Sequence, residues 1–340
     1  MFDSLSLNIL VFVLAAIVIA VVGVIMTKIA DKLAAKTGLG EAIVGAIFLG
    51  GSTSLPGIIT SVSTAAGNHP QLAISNALGG IAAQTAFLGL ADIVYSQANL
   101  EYAAASATIL SQGTLLITFL VLPLMAIATP AITLWQIHPV SFILPIAYVF
   151  GLRLLSSTKE KPMWLPKKTS ETVSKEEEPE VNQVSLTSLG IRFAMCAVAV
   201  GVAGYVVAES GVAIVESTSV SESIVGGLFT AVSTSLPELV TSIAAVQQGA
   251  LTLAVGGILG GNSFDVLFMA FADFAYRKGS IYHALTQSQS FIIALTILMT
   301  SILLLGLIRR EKYGIGNIGF ESFLILVLYL GGFLLLFFVF

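Results

Sequence analysis

The apolar segments of this chain are too long and too numerous for a water-soluble fold. A helix needs about 20 apolar residues to cross a bilayer. Ten such segments occur, at residues 7–27, 40–66, 70–96, 107–128, 137–155, 187–208, 221–247, 251–276, 286–308 and 317–340. Only 10% of the 340 residues are charged, against about 25% in soluble domains. The sequence predicts an all-α polytopic membrane protein with ten transmembrane helices and excludes a soluble enzyme.

Two parts of the chain repeat each other. Residues 41–95 align with residues 222–276 without a gap, at an offset of 181 and with 21 identities in 55 positions. The matched positions include Ser-Thr-Ser-Leu-Pro at 52–56 and 233–237, paired glycines at 79–80 and 260–261, and Asp92 with Asp273. Each half has five predicted spans, an odd number, so the repeats cross the membrane in opposite directions. Such inverted five-helix repeats are typical of secondary transporters, whose site lies near the bilayer midplane.

A polar stretch at residues 156–187 separates a first half, 1–155, from a second half, 188–340. Its lysines, prolines and acidic residues predict a flexible linker. Thirteen basic residues lie at the linker end of the spans, and only Arg277 and Lys278 at the other. Because basic residues favour the cytoplasmic side, we expect a cytoplasmic linker, both termini outside, and location in the plasma or inner membrane.

Two carboxylates fall near the middle of predicted spans: Glu238 in the seventh and Asp265 in the eighth. A charge at this depth costs several kcal/mol unless it meets a partner, an ion or water. No Lys or Arg lies at comparable depth. Each carboxylate therefore needs a proton, a water-filled cavity or a bound cation. The simplest alternative to a site is a protonated carboxyl group bonded to a neighbouring helix.

Pro56 and Pro237 interrupt the second and seventh spans at equivalent positions. A proline inside a helix frees the carbonyl four residues earlier, and in lipid that group must be satisfied or line a cavity. Such carbonyls, hydroxyls, carboxylates and amide oxygens are hard ligands that suit Na⁺ or Ca²⁺. The alternative is a proline kink whose neighbouring hydroxyls only pack between helices. It would explain a single Ser-Thr-Ser-Leu-Pro string more readily than two at equivalent positions. The candidate ligands are Glu238, Asp265, Thr234, Ser235, Thr53, Ser54 and Gln84.

At these residues the sequence resembles the cation/Ca²⁺ exchanger superfamily, most closely its sodium/calcium exchanger branch. The resemblance rests on STSLPE at 233–238 and GGNSFD at 260–265. It implies that Glu238 and Asp265 are central cation ligands and that Thr234 and Ser235 add oxygens. The first repeat departs from the pattern, because Gly57 stands in place of the glutamate and Gln84 in place of an asparagine.

The resemblance implies a secondary antiporter that exchanges Ca²⁺ for Na⁺ by alternating access. Two alternatives stand beside it: a divergent antiporter coupled to H⁺ or another cation, and a non-transporting membrane sensor or scaffold. We expect no enzyme activity, no resident cofactor, and no ATP or nucleic acid partner; the partners are the transported ions and the lipid bilayer. At Gly57 we expect water, Gln84 or another group to fill the place of the missing carboxylate.

Overall fold

The computed structural model describes residues 2, 4–37, 48, 50–95, 97–160, 165–167, 185–314 and 318–339. Their regular structure is helical apart from one isolated β-bridge, between Leu134 and Ile137. Eight described helical stretches are long and apolar enough to cross a membrane, one of them the run Leu251–Ala275, and a bent pair makes a ninth span. The predicted all-α polytopic membrane fold is confirmed. Part of the second predicted span, 40–66, and most of the linker, 156–187, lie outside the described residues.

The helices are numbered here in chain order. They are α1 (Leu5–Thr37), α2 (Leu55–Ala66), α3 (Pro70–Val94), α4 (Leu100–Ala104), α5 (Ala107–Ala128), α6 (Pro139–Glu160), α7 (Leu186–Ser217), α8 (Glu222–Thr234), α9 (Leu236–Gln247), α10 (Leu251–Asp265), α11 (Leu267–Ala275), α12 (Gln287–Arg309) and α13 (Phe320–Val339). Helix α1 extends well beyond the predicted span 7–27. Hydropathy marks where the apolar run stops, whereas Ala, Leu and Lys continue to favour helix past that point.

Both repeats break at the same serine. Helices α8 and α9 meet at a bend of 47°, and Ser235 between them has φ −99° and ψ 6°. Its repeat equivalent Ser54, which precedes α2, has φ −84° and ψ 0°. In each case a proline follows in the first turn of the next helix. Amide groups in that turn have no partner within the helix, so the proline removes no intrahelical hydrogen bond. The Ser-Thr-Ser-Leu-Pro strings therefore mark helix breaks, as the prolines predict.

Helices α1 and α7 cover these breaks through glycines. A Cβ atom at Gly23 of α1 would lie 2.5 Å from Cγ of Pro237, and one at Gly204 of α7 would lie 2.8 Å from the carbonyl oxygen of Pro56. Such distances allow only glycine without a shift of the neighbours. Positions 23 and 204 are also 181 apart, so the symmetry of the two halves extends beyond the repeat visible in the sequence.

Asp92 and Asp273 tie the ends of the repeats to neighbouring segments. Asp92 accepts amide hydrogen bonds from Leu100 at 2.6 Å and Gly319 at 2.7 Å. Asp273 accepts them from Ile281 and His138, both at 2.8 Å. Each residue of one set lies 181 positions from its counterpart in the other. Because α5 separates Leu100 from His138 by about 33 Å of helix, the two clusters lie at opposite ends of the bundle, as inverted repeats require.

Candidate cation site

Asp265, at the end of α10, is the centre of a buried polar cluster. Its Oδ1 accepts a hydrogen bond from Oγ of Ser54 at 2.5 Å, and its Oδ2 accepts one from Nε2 of Gln84 at 2.7 Å. The same Nε2 lies 3.3 Å from Oγ of Ser235 as a second acceptor. All four side chains are buried. Four of the seven predicted ligands thus meet where α3 and α10 contact both helix breaks.

Glu238 is the second acidic group of this region. It lies in the first turn of α9, where the helix dipole favours negative charge, and it is buried. Its carboxyl group is within electrostatic range of Asp265. Among the ion pairs of the described residues, none involves either carboxylate. Two acidic groups without a basic partner are therefore held in one region.

Gly57, the repeat equivalent of Glu238, faces an aromatic ring. A Cβ atom at this position would lie 2.6 Å from Cε2 of Phe268. The carbonyl oxygen of Gly57 accepts a hydrogen bond from Nδ2 of Asn76 at 3.2 Å. The ring of Phe268, rather than the amide of Gln84, therefore occupies the space beside this glycine, because Gln84 is engaged with Asp265.

The two threonines of the predicted ligand set use their hydroxyls locally. Oγ1 of Thr53 donates to the carbonyl of Gly50, and Oγ1 of Thr234 donates to that of Ala231, each at 3.2 Å. Bonds of this kind satisfy the hydroxyl within its own helix. In this arrangement the serines Ser54 and Ser235, one residue further along, reach the polar cluster.

Two buried asparagines outside the predicted ligand set form polar contacts of their own. Asn262, one turn before Asp265, donates from Nδ2 to Oγ1 of Thr85 at 3.1 Å. Asn76 donates to Oγ of Ser61 at 2.9 Å and accepts from Oγ1 of Thr230 at 2.7 Å. The signal for both was available, because an amide side chain within an apolar span is itself rare and informative.

Three oxygens of this region are buried without a hydrogen-bond partner in the described part of the chain: Oε1 of Gln84, Oε2 of Glu238 and Oδ1 of Asn262. A buried acceptor left unpaired costs about 1–3 kcal/mol, so such a group favours a ligand. The set is all oxygen, which suits Na⁺ or Ca²⁺. Within the described residues, no three His, Cys, Asp or Glu side chains converge on a common point.

Two equivalent glycines leave room beside these atoms. A Cβ atom at Gly80 would lie 3.4 Å from Oγ of Ser235, and one at Gly261 would lie 3.6 Å from Oε1 of Gln84. These positions belong to the paired glycines of the two repeats. Their lack of a side chain keeps the polar atoms free of apolar cover.

Inverted repeats whose broken helices meet at buried polar groups define the secondary transporter class of integral membrane proteins. The family model described as "Sodium/calcium exchanger protein" matches residues 7–156 and 188–339. The chain therefore belongs to the sodium/calcium exchanger family.

Solved structures share this fold. The sodium-calcium exchanger NCX_Mj, soaked with Na⁺ and Sr²⁺, is 19% identical, with 96% of this chain and 97% of that chain covered and a TM-score of 0.59. The H⁺/Ca²⁺ exchanger CAX is 11% identical, with 96% and 82% covered and a TM-score of 0.70. Native YfkE is 12% identical, with 96% and 92% covered and a TM-score of 0.65. A search of the curated proteins found no significant match.

Proposed function

We propose that this protein is a secondary-active antiporter that exchanges Ca²⁺ for Na⁺ by alternating access. The observation that carries the proposal is the buried cluster of Asp265, Gln84, Ser54 and Ser235 between two broken helices, with Glu238 close by. Family membership supports it. The proteins of similar fold include a sodium-calcium exchanger and an H⁺/Ca²⁺ exchanger.

Glu238 and Asp265 are the proposed charged ligands, and neutral oxygens complete the shell. Asp265 now accepts hydrogen bonds from Ser54 and Gln84, and these donors must turn away when a cation binds. A serine hydroxyl can rotate to present its lone pairs, and the Gln84 amide can turn to present Oε1. Thr53, Thr234 and Ser235 are proposed to add oxygens from hydroxyls or from carbonyls freed at the breaks.

The charge of the site limits what it exchanges. Two carboxylates neutralise one Ca²⁺ or two monovalent cations, and Gly57 supplies no third. We propose an exchange of one Ca²⁺ for two monovalent ions, which moves no net charge. The proposed site therefore binds fewer monovalent ions in each cycle than a site with a glutamate in both repeats.

The second candidate uses H⁺ as the coupling ion. The observation in its favour is Glu238, whose Oε2 is buried without a hydrogen-bond partner in the described residues. An uncompensated buried carboxylate favours a proton. Two carboxyl groups that release protons when Ca²⁺ binds would give the same electroneutral balance.

The test is uptake of ⁴⁵Ca²⁺ into proteoliposomes under an outward Na⁺ gradient and, separately, under a pH gradient. We expect uptake with Na⁺; uptake driven only by the pH gradient identifies H⁺ instead. Glu238→Gln should reduce uptake at least about 100-fold, because a unit charge about 4 Å from a cation contributes roughly 4 kcal/mol at an effective dielectric of 20. The control is Glu216→Gln, the same change at an exposed position. Absence of flux in both gradients with tight Ca²⁺ binding would favour a sensor.

The proposed orientation places the linker in the cytoplasm and the termini outside, in a plasma or inner membrane. The supporting observation is the distribution of the basic residues. Single cysteines in a background without Cys196, one at the exposed Lys278 and one in the linker, test it with an impermeant maleimide. Labelling of the linker position in intact cells would contradict this orientation.

A further inference from the structure

A cavity of about 360 Å³ lies between α1 and α7, away from the cation site. Three basic residues line it, Lys28, Lys32 and Arg192. Apolar side chains, among them Ile25, Ile29 and Met195, form most of the remaining wall. A cavity with cationic groups and apolar walls matches a ligand that is itself part anion and part hydrocarbon.

The cavity lies where both helices change from apolar to polar. Lys28 is the first charged residue of α1, after an uncharged stretch that begins at Leu5. Arg192 is the one charged residue of α7 before Glu209. Lys32 lies one turn beyond Lys28, on the side away from Ile25. The basic groups therefore face the headgroup level of the membrane, while the apolar wall extends towards the hydrocarbon.

The three basic side chains have no acidic partner among the residues that the structure describes. All three are exposed, and none forms an ion pair within the described residues. Asp31, the nearest acidic residue in sequence, lies three residues after Lys28 and therefore beside it on α1, but it forms no ion pair with either lysine among the described residues. A cationic cluster without acidic partners at this depth attracts anionic lipid.

We propose that this cavity binds an anionic phospholipid, whose phosphate contacts Lys28, Lys32 and Arg192 and whose acyl chain lies along Ile25, Ile29 and Met195. Basic pockets between helices on the cytoplasmic side are known to hold such headgroups. A free phosphate would leave the apolar wall without a partner, which is why the lipid is the occupant that fits. The lysine and arginine stems can lie along the same wall while their charges reach the phosphate.

The test compares lipid retention by the whole protein in native mass spectrometry after delipidation and addition of phosphatidylglycerol or phosphatidylcholine. We expect selective retention of phosphatidylglycerol, at least about tenfold weaker in Lys28→Gln/Lys32→Gln/Arg192→Gln. The control, Arg153→Gln/Lys167→Gln/Lys278→Gln, removes the same charge from exposed positions outside the cavity and should retain the lipid as the parent does. Equal loss in both variants would overturn the proposal, because bulk charge would then explain the binding.

Cys196, the single cysteine of the chain, also lines the cavity and gives a second readout. In nanodiscs, phosphatidylglycerol should slow its alkylation by N-ethylmaleimide relative to phosphatidylcholine, in the parent and the control but not in the cavity variant. Inorganic phosphate should give no protection; protection by phosphate alone would identify an anion site instead. The acidic run at 176–180 is a competing occupant. If phosphatidylglycerol bound only after those glutamates were changed to glutamine, the linker would be the occupant and the proposal would fail.

Discussion

Gln84 and Asp265 occupy the same position in the two repeats, 181 residues apart, and they are hydrogen-bonded to each other at 2.7 Å. Residues related by a pseudo-twofold axis can touch only beside that axis. The bonds to Asp265 from Ser54 and to Ser235 from Gln84 are likewise symmetry equivalents. The cluster therefore lies on the axis between the halves. At this position the second repeat contributes the carboxylate of Asp265, whereas the first contributes the amide of Gln84.

The first prediction concerns moving the carboxylate from position 265 to its repeat equivalent, position 84. Asp265→Asn should weaken Ca²⁺ binding by about 100-fold or more, because a charged ligand is lost. Gln84→Glu/Asp265→Asn restores one charge with little change in volume and should recover at least about tenfold of the loss. Calorimetric titration of Ca²⁺ measures both. A double variant no better than Asp265→Asn would show that the two positions are not equivalent for the cation.

The second prediction concerns Gly57 and Phe268. Glu in place of Gly57 must displace the ring, whose Cε2 would lie 2.6 Å from the new Cβ, so Gly57→Glu alone should lower stability by about 1–3 kcal/mol. Gly57→Glu/Phe268→Ala should accommodate the carboxylate and bind Ca²⁺ more tightly than Phe268→Ala. Thermal unfolding and Ca²⁺ titration test this. Tighter binding in an equally stable Gly57→Glu protein would mean that the ring does not block the site.

The third prediction uses two glycines of α7. Ala at position 204 would place a methyl group 2.8 Å from the carbonyl oxygen of Pro56 and should cost about 1–3 kcal/mol. Ala at position 201 meets nothing within 4 Å and should be neutral or slightly stabilising, since Ala favours helix over Gly. Thermal unfolding in detergent compares them. Equal melting temperatures would contradict the close contact between α7 and the first break.

The fourth prediction concerns pH. Glu101 of α4, between the spans, is buried and accepts a hydrogen bond from Oγ of Ser322. Burial first, and then the charges of Asp92 and Glu321, raise its pKa from 4.5 to about 7. Glu321 in turn pairs with Arg309. The folded protein therefore binds this proton more tightly than the unfolded chain does.

Because of Glu101, the free energy of unfolding should fall by on the order of 3 kcal/mol as pH rises from about 4.5 to about 7. It should stay low above that range. Glu101→Gln should raise the melting temperature at about pH 8 and change it little at about pH 5. Glu216→Gln is the control. An unchanged pH dependence of stability in Glu101→Gln would show that folding does not raise the pKa of Glu101.

The sequence predicted the spans, the duplication and the main polar residues for definite physical reasons. Long apolar runs and prolines act locally, so the breaks at Ser54 and Ser235 could be placed from Pro56 and Pro237. Two things depended on packing between distant segments. One is the ring of Phe268 against Gly57. The other is that the hydroxyls of Ser54 and Ser235, rather than those of the threonines, reach the cluster around Asp265 and Gln84. The ligand roles of Glu238, Asp265 and their neighbours stay predictions.

The two aspartate clusters explain how the halves diverged without losing their common architecture. Asp92 and Asp273 hold main-chain amides, and an amide is present whatever the side chain, proline excepted. Gly319 can therefore correspond to His138, and Glu101 to Tyr282, with no change in the scaffold. Substitution at either end can alter that end's chemistry while the fold is inherited intact, so the two faces of one duplicated unit are free to evolve towards different environments.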